Sequence, residues 1–287
     1  MRITGRTRLA GIMGSPVSHS RSPALHNFWL DEYGVDGVYV PLAVAPDRLE
    51  TALRALPALG FRGCNLTIPH KQAALAIVDS VEPMARRIGA INTVVVTADG
   101  KLTASNTDVF GFRENLRDCA PDWNAHAGPA VVLGAGGAAR AIVAALIQEG
   151  VSEIRLVNRT SARAQAIAED LADAKSAISV AAWAKRAALL EGAGIVVNTT
   201  SLGMTGEPDL GLDLAALPKT AVVADIVYVP LDTTLLTTAR TRGNRVVDGL
   251  GMLLHQGRPG FEAWFGTPPR VTRELRASVL TTLSAAR

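Results

Sequence analysis

Apolar residues 9–13 form a short run that ends at Gly14 and gives way to a polar segment, 15–22. Pro23 follows, with Ala24, Leu25, Phe28 and Trp29 at the spacing of an amphipathic helix. Ser22 reads as the N-cap of that helix, with proline at its first position. Residues 38–42 read as a strand and 46–59 as a helix closed by Gly60. From Phe61 to Lys71 the pattern is a short strand, a proline turn at Pro69 and then a helix that carries Leu75, Ile77 and Val78. Residues 91–96 read as a strand, Asp99-Gly100 as a hairpin turn and 102–105 as the return strand.

From residue 130 the pattern changes to strands alternating with helices. The β-branched run Val131-Val132-Leu133 meets Gly134-Ala135-Gly136-Gly137-Ala138, and a helix-forming run, 139–149, stops at Gly150. Strands are expected at 154–157, 195–198, 222–226 and 245–247, and helices at 161–171 and 233–242. The alanine-rich stretch 162–188 reads as helix, not linker. Such alternation implies a Rossmann-like, doubly wound parallel sheet with helices on both faces. After Gly249 an apolar helix carries His255 and Gln256 near its middle, and a last helix covers 271–283. Neither can extend the parallel sheet, so both are expected to fold back on the first domain. The fold class is therefore α/β with two domains, 1–108 completed by 250–287, and 109–249.

Composition narrows the class of function. Of the 287 residues 48% are hydrophobic and 19% charged, the proportions of a globular protein able to bury a large core. A net charge of +3 is scattered along the chain, which suits anionic small molecules and is too diffuse for nucleic acid. Cys64 and Cys119 form no metal-type spacing, and the five histidines share no ligand spacing, so no metal is expected. The basic start, without an apolar signal core, and the absence of a long apolar run lead to the expectation of a cytoplasmic protein with no membrane partner.

The glycine turn is the first candidate site. Gly134 allows a sharp turn, Gly136 allows close approach of a pyrophosphate, and the amides at the helix start would face the anion. A fold that selects NAD places an acid after the second strand to hold the ribose hydroxyls. Here that place reads Asn158-Arg159-Thr160-Ser161-Ala162-Arg163, without an acid. Two guanidinium groups with amide and hydroxyl donors suit a 2′-phosphate, so NADP is the expected cofactor. Elsewhere the residues leave alternatives open: Ser20 and Ser22 are helix caps or a carboxylate cradle, Asp108 is a cap or a functional acid, and Lys71 is a surface lysine or a reactive one. The polar Asn65 and Thr67, in an otherwise apolar strand, raise the standing of Lys71.

Taken together, several segments resemble the shikimate dehydrogenase family: His19-Ser20-Arg21-Ser22-Pro23, Asn65-Leu66-Thr67-Ile68-Pro69-His70-Lys71, Ala90-Ile91-Asn92-Thr93, Asn106-Thr107-Asp108, the glycine turn, Asn158-Arg159-Thr160, Asp225-Ile226-Val227-Tyr228 and Gly251-Met252-Leu253-Leu254-His255-Gln256. They follow the family's order over almost the whole chain. The resemblance implies NADPH-dependent reduction of 3-dehydroshikimate to shikimate in aromatic amino-acid biosynthesis, with 1–108 the substrate domain and 109–249 the NADP domain. It further implies that Ser20, Ser22 and Tyr228 bind the substrate carboxylate. Thr67, Asn92, Asp108 and Gln256 would bind the ring hydroxyls, and Lys71, supported by Asp108, would be the catalytic acid and base. Gly134, Ala135, Gly136, Gly137 and Ala138 would hold the pyrophosphate, and Asn158, Arg159, Thr160 and Arg163 the 2′-phosphate. Ile226, Gly249 and Met252 would lie near the nicotinamide.

Two departures are minor: Thr199 stands where the family often has alanine, and Val109 where a larger residue is common. Relatives that prefer quinate or an aminoshikimate, a folate-type dehydrogenase and a non-catalytic NADP sensor are the competing readings. The last two fit less well, because the chain keeps Lys71 and Asp108 and matches at Ser20, Ser22 and Gln256. The expected partner is the small-molecule substrate; a homodimer is left open. Closure of two domains over substrate, excluding water from the transferred hydride, is an expectation of the two-domain plan.

Overall fold

The computed structural model describes residues 3–284. The chain forms two compact units, one running up to Thr107 and resuming at Gln256, the other spanning Asp108–His255.

The first unit is built on a mixed six-stranded sheet. Its strands are β1 (Arg8–Gly14), β2 (Gly37–Ala43), β3 (Phe61–Leu66), β4 (Ser80–Val81), β5 (Thr93–Val96) and β6 (Leu102–Ser105), in the order β2-β1-β3-β5-β6-β4. β1 pairs in parallel with β2 and β3, whereas β5 runs antiparallel to both β3 and β6. Four helices punctuate it: α1 (Ser22–Glu32), α2 (Leu49–Ala55), α3 (His70–Ala73) and α4 (Pro83–Ile88). A core of Met13, Leu53, Leu66, Ile91 and Val94 seals one region. Another gathers His26, Trp29, Tyr39, Phe261 and Trp264, in which the Trp264 indole donates to the Val94 carbonyl at 3.0 Å. Each buried Trp or Phe side chain there stabilises the unit by about 2–3 kcal/mol through apolar area removed from water.

The helices here are shorter than their patterns suggest. The helix expected over 46–59 is a 3-10 turn followed by α2, and α3 is a single turn continued by another 3-10 turn at Ala74–Ala76. Local pattern sets helix existence better than helix length, because nucleation is costly and each end needs tertiary support. β4 and α4 are short elements that the apolar pattern does not reveal.

In the second unit the strands are β7 (Ala130–Leu133), β8 (Glu153–Asn158), β9 (Ala177–Ala182), β10 (Ile195–Asn198), β11 (Val222–Asp225) and β12 (Arg245–Val247). All pair in parallel, in the order β12-β11-β10-β7-β8-β9. This is the doubly wound arrangement, with strand order reversing between β7 and β10. β7, β10 and β11 are buried along their whole length, as continuous apolar runs in a parallel sheet should be. The helices of this unit are α5 (Asp108–Cys119), α6 (Gly137–Gln148), α7 (Ser161–Asp170) and α8 (Thr234–Arg242).

The alanine-rich stretch 162–188 is not one helix. α7 ends at Asp170, β9 pairs with β8 along six residues, and two 3-10 turns follow. Alanine's helix preference amounts to tenths of a kcal/mol per residue, whereas Ile178 and Val180 alternate with small residues and complete a sheet edge. Tertiary pairing wins there. Finally, α9 (Gly249–Phe265) starts in the second unit and ends in the first, and α10 (Arg273–Ser284) packs on α1. Among the described residues no helix is long and apolar enough to cross a membrane.

Candidate active site

The glycine turn sits where the strand order reverses. Gly134 has φ +110°, a conformation L side chains rarely adopt, and a Cβ there would lie 2.7 Å from Thr199 Oγ1 and 2.9 Å from Thr200 Cγ2. Thr199, at the end of β10, donates its hydroxyl to the Leu133 carbonyl at 2.7 Å, so it pins the two strand ends on either side of the reversal. Gly136 and Gly137 are the opposite case: a Cβ on either would meet nothing within 4 Å. No side chain caps α6, whose N-cap is Gly136. An exposed helix start with backbone amides and no side-chain cap fits a pyrophosphate. Ala139 is fully buried where helix and strand pack, and Arg140 is engaged by Asp170 at 2.7 Å.

β8 lies beside β7, and the Gly134 amide donates to the Val157 carbonyl at 2.8 Å, so the end of β8 adjoins the turn. Asn158 turns its amide back to the Thr160 carbonyl at 2.8 Å, leaving Arg159, Thr160 and Arg163 exposed around the start of α7. Asn158 thus shapes this corner, and the two arginines supply its charge.

On the other side of β10, Asp225 closes β11 with a hydrogen-bond network that the sequence alone does not show. Its Oδ1 accepts from Asn198 Nδ2 at 3.0 Å and from the Val227 amide at 3.0 Å, and its Oδ2 accepts the Thr233 hydroxyl at 2.8 Å. Burial pushes this carboxyl up to about 6, against the pull of those three donors. The signal for it was an acid ending an otherwise apolar strand. Asp225 holds the turn that bears Ile226 and Tyr228. A Cβ on Gly249 would fall 2.3 Å from the Ile226 carbonyl oxygen, so only glycine lets α9 start against that turn. Ile226 and Gly249 are thereby brought together, and Met252, buried, follows on α9. Tyr228 is half-buried just after.

In the first unit Ser22 is not the N-cap expected from the sequence. It is the first residue of α1, Arg21 takes the cap position, and the Ser20 hydroxyl oxygen accepts the Ser22 amide at 3.2 Å. Proline within the first turn leaves room for a residue before it, which moves both serines to the helix mouth. Thr67 follows β3, and its amide donates to the Met13 carbonyl at 3.0 Å. His70 is buried and its Nε2 lies 2.8 Å from the Val44 carbonyl, anchoring the turn from which half-buried Lys71 projects. Lys71 is tied down further by the Ile91 amide, which donates to its carbonyl at 2.9 Å.

Asn92 and Gln256 come together across 164 residues of sequence, with Asn92 Nδ2 3.5 Å from Gln256 Oε1. Asn92 Oδ1 accepts the Thr107 amide at 2.8 Å and the Thr107 and Thr93 hydroxyls at 3.1 Å each. Asp108, the next residue, is buried and opens α5 as the first residue of the second unit, where its charge complements the helix dipole. His255 lies 2.9 Å from Asp118 through Nε2 and is a structural contact. Tyr39, Asn65, Thr93 and Thr107, which surround Asn92, receive no role from the sequence: Asn65 stands out as a polar residue in an apolar strand, Thr93 and Thr107 only lie in segments that resemble the family, and Tyr39 gives no signal.

Residues 12–94 match the family described as shikimate dehydrogenase substrate binding domain, and residues 121–204 the family described as shikimate / quinate 5-dehydrogenase. The chain is 60% identical to the shikimate dehydrogenase (NADP(+)) of Paramagnetospirillum magneticum, over 97% of this chain and 100% of that protein. Among solved structures it is similar to the quinate dehydrogenase of Corynebacterium glutamicum in complex with NAD, with a TM-score of 0.89 and 34% identity over 96% of this chain and 99% of that one. It is also similar to the shikimate 5-dehydrogenase of Thermus thermophilus in complex with NADP(H) and shikimate, with a TM-score of 0.83 and 36% identity over 98% of this chain and 100% of that one. An open glycine turn on a doubly wound sheet, an arginine-bearing second strand end and matches over nearly the full length make this chain a member of the shikimate dehydrogenase family.

Proposed function

We propose that this chain is an NADP-dependent oxidoreductase that interconverts 3-dehydroshikimate and shikimate. The observation that carries the reading is the acid-free end of β8, with Arg159 and Arg163 exposed beside an uncapped glycine turn, in a chain 60% identical to a shikimate dehydrogenase (NADP(+)). A 2′-phosphate meets two guanidinium groups there, where a carboxylate would repel it.

NADPH, when bound, supplies the hydride to the ring ketone. The chain's own residues then have two tasks, orientation and proton transfer. Ser20, Ser22 and Tyr228 hold the ring carboxylate, and Thr67, Asn92 and Gln256 hold ring hydroxyls. Lys71 as ammonium donates a proton to the developing alkoxide, and in the reverse direction neutral Lys71 accepts it. Asp108 accepts from the lysine and from a ring hydroxyl, fixing both in position. The backbone of Gly134, Ala135, Gly136, Gly137 and Ala138 receives the pyrophosphate, Asn158 and Thr160 support the two arginines, and Ile226, Gly249 and Met252 receive the nicotinamide. On this assignment residues 1–108 with 250–287 form the substrate domain and 109–249 the NADP domain. The enzyme works in the cytoplasm on a small molecule, without nucleic acid or membrane.

Quinate is the second reading, favoured by the similarity to a quinate dehydrogenase. Quinate adds a hydroxyl on the carbon that bears the carboxylate, so the space around Ser20, Ser22 and Tyr228 decides between the two. A spectrophotometric assay crossing shikimate and quinate with NADP+ and NAD+ tests the proposal. Shikimate with NADP+ is expected to give the highest kcat/KM, and a higher value for quinate with NAD+ would replace the reading with the second one.

A further inference from the structure

Asn65 lies on β3, and its side chain is buried among hydrogen-bonding groups. Its Nδ2 donates to the Asn92 carbonyl at 3.0 Å and to Thr93 Oγ1 at 3.1 Å. A backbone carbonyl can only accept, so this contact fixes which way the Asn65 amide faces. Its Oδ1 must then accept, and the Tyr39 hydroxyl donates to it at 2.6 Å. At the far end the Thr107 amide, which can only donate, sits 2.8 Å from Asn92 Oδ1 and fixes the Asn92 amide in the same way. Thr93 joins the two: it accepts from Asn65 and turns its own hydroxyl to Asn92 Oδ1 at 3.1 Å. Tyr39, Asn65, Asn92, Thr93 and Thr107 are all buried, where a misdirected donor or acceptor has no water to meet it.

The oxygen of Asn92 is therefore committed inward, and its Nδ2 is the group turned toward Gln256. We propose that Tyr39, Asn65 and Thr93 are positioning residues that hold Asn92 as a hydrogen-bond donor to a ring hydroxyl of the substrate. The proposal rests on the reading of Asn92 as a substrate ligand. Its consequence is selectivity for ligands that present an acceptor lone pair there, since an inverted Asn92 amide would leave two buried donors or acceptors facing like groups.

The test is steady-state kinetics of the full-length enzyme with Tyr39→Phe, Thr93→Val, Asn92→Ala and the Tyr39→Phe/Asn92→Ala pair. Tyr39→Phe removes only a hydroxyl and keeps the ring stacked on His26, at a centroid distance of 4.1 Å. Tyr39→Phe and Thr93→Val are each expected to raise the KM for shikimate about fivefold, the order of one neutral hydrogen bond. The KM for NADP+ should change less than twofold. In the Asn92→Ala background, adding Tyr39→Phe should change the shikimate KM less than twofold, because its effect runs through Asn92. A shikimate KM within twofold of the parent in both Tyr39→Phe and Thr93→Val, with or without a lowered Tm, would overturn the inference. So would losses that multiply in the double variant. A parent enzyme without shikimate activity would instead overturn the functional reading, and this inference with it.

Discussion

His26 provides a quantitative link between the packing of the first unit and pH. The side chain is fully buried, stacked on Tyr39 with Trp29, Phe261 and Trp264 around it, and neither ring nitrogen has a hydrogen-bond partner of good geometry. Burial pushes its pKa from 6.5 down to about 3, with Asn65 opposing only weakly. Between those values the unfolded chain binds a proton that the folded chain does not, so stability falls as pH falls through that window. From pH 7 to pH 5 the loss from this one group is about 2 kcal/mol, at 1.36 kcal/mol per pH unit below the unfolded pKa. Asp225 acts in the opposite sense, because its folded pKa, about 6, lies above the 3.8 of the unfolded chain. Over the same interval it returns about 1 kcal/mol, which masks part of the His26 effect in the parent. The informative comparison is His26→Leu against the parent, in urea unfolding followed by tryptophan fluorescence at pH 7 and pH 5. Loss of ring stacking lowers the variant's stability equally at both pH values, whereas its pH-dependent part disappears. The stability difference should therefore move by about 2 kcal/mol in favour of His26→Leu on acidification. A movement below about 0.5 kcal/mol would show that His26 is not held neutral by its cage.

Lys71→Ala should lower kcat between about a hundredfold and ten-thousandfold, with a much smaller change in the KM for shikimate, as expected for loss of a proton donor and acceptor; near-parental turnover in stopped-flow assays would remove Lys71 from the chemistry. Arg159→Ala combined with Arg163→Ala should weaken NADP+ binding by about tenfold or more in fluorescence titrations while NAD+ binding stays within about threefold. Equal losses for both cofactors would refute the phosphate assignment. Gly134→Ala should destabilise the second unit by about 2–4 kcal/mol, since the substitution combines an unfavourable φ with a Cβ 2.7 Å from Thr199 Oγ1. An unchanged unfolding midpoint would mean that the turn relaxes freely.

The doubly wound unit was legible because its signals are local. A β-branched run, a glycine turn and a helix stopped by Gly150 lie within about twenty residues, and each follows from backbone sterics and side-chain period. The missing acid after β8 was legible for the same reason: cofactor choice depends on residue types at one strand end. The edge strand β9 reads as helix from its residues alone, because alanine favours helix when isolated and only the neighbouring β8 reveals the strand. The cap at α1 shifted by one residue, since helix ends depend on contacts that pattern alone does not contain.

Site chemistry divides in the same way. Which functional groups are present is written in the order of residues: a lysine after a proline turn, serines at a helix mouth, arginines beside a glycine turn. How they are aimed comes from the fold. Tyr39 and Asn65 are 26 residues apart, Asn198 and Asp225 are 27 apart, and Asn92 and Gln256 are 164 apart, yet each pair is joined by a hydrogen bond. A polar side chain has several donors and acceptors, and its identity does not say which one is used. Burial removes water as a partner, so the fold, by bringing one fixed backbone donor or acceptor to each end of a chain of such groups, selects the single arrangement that satisfies them all.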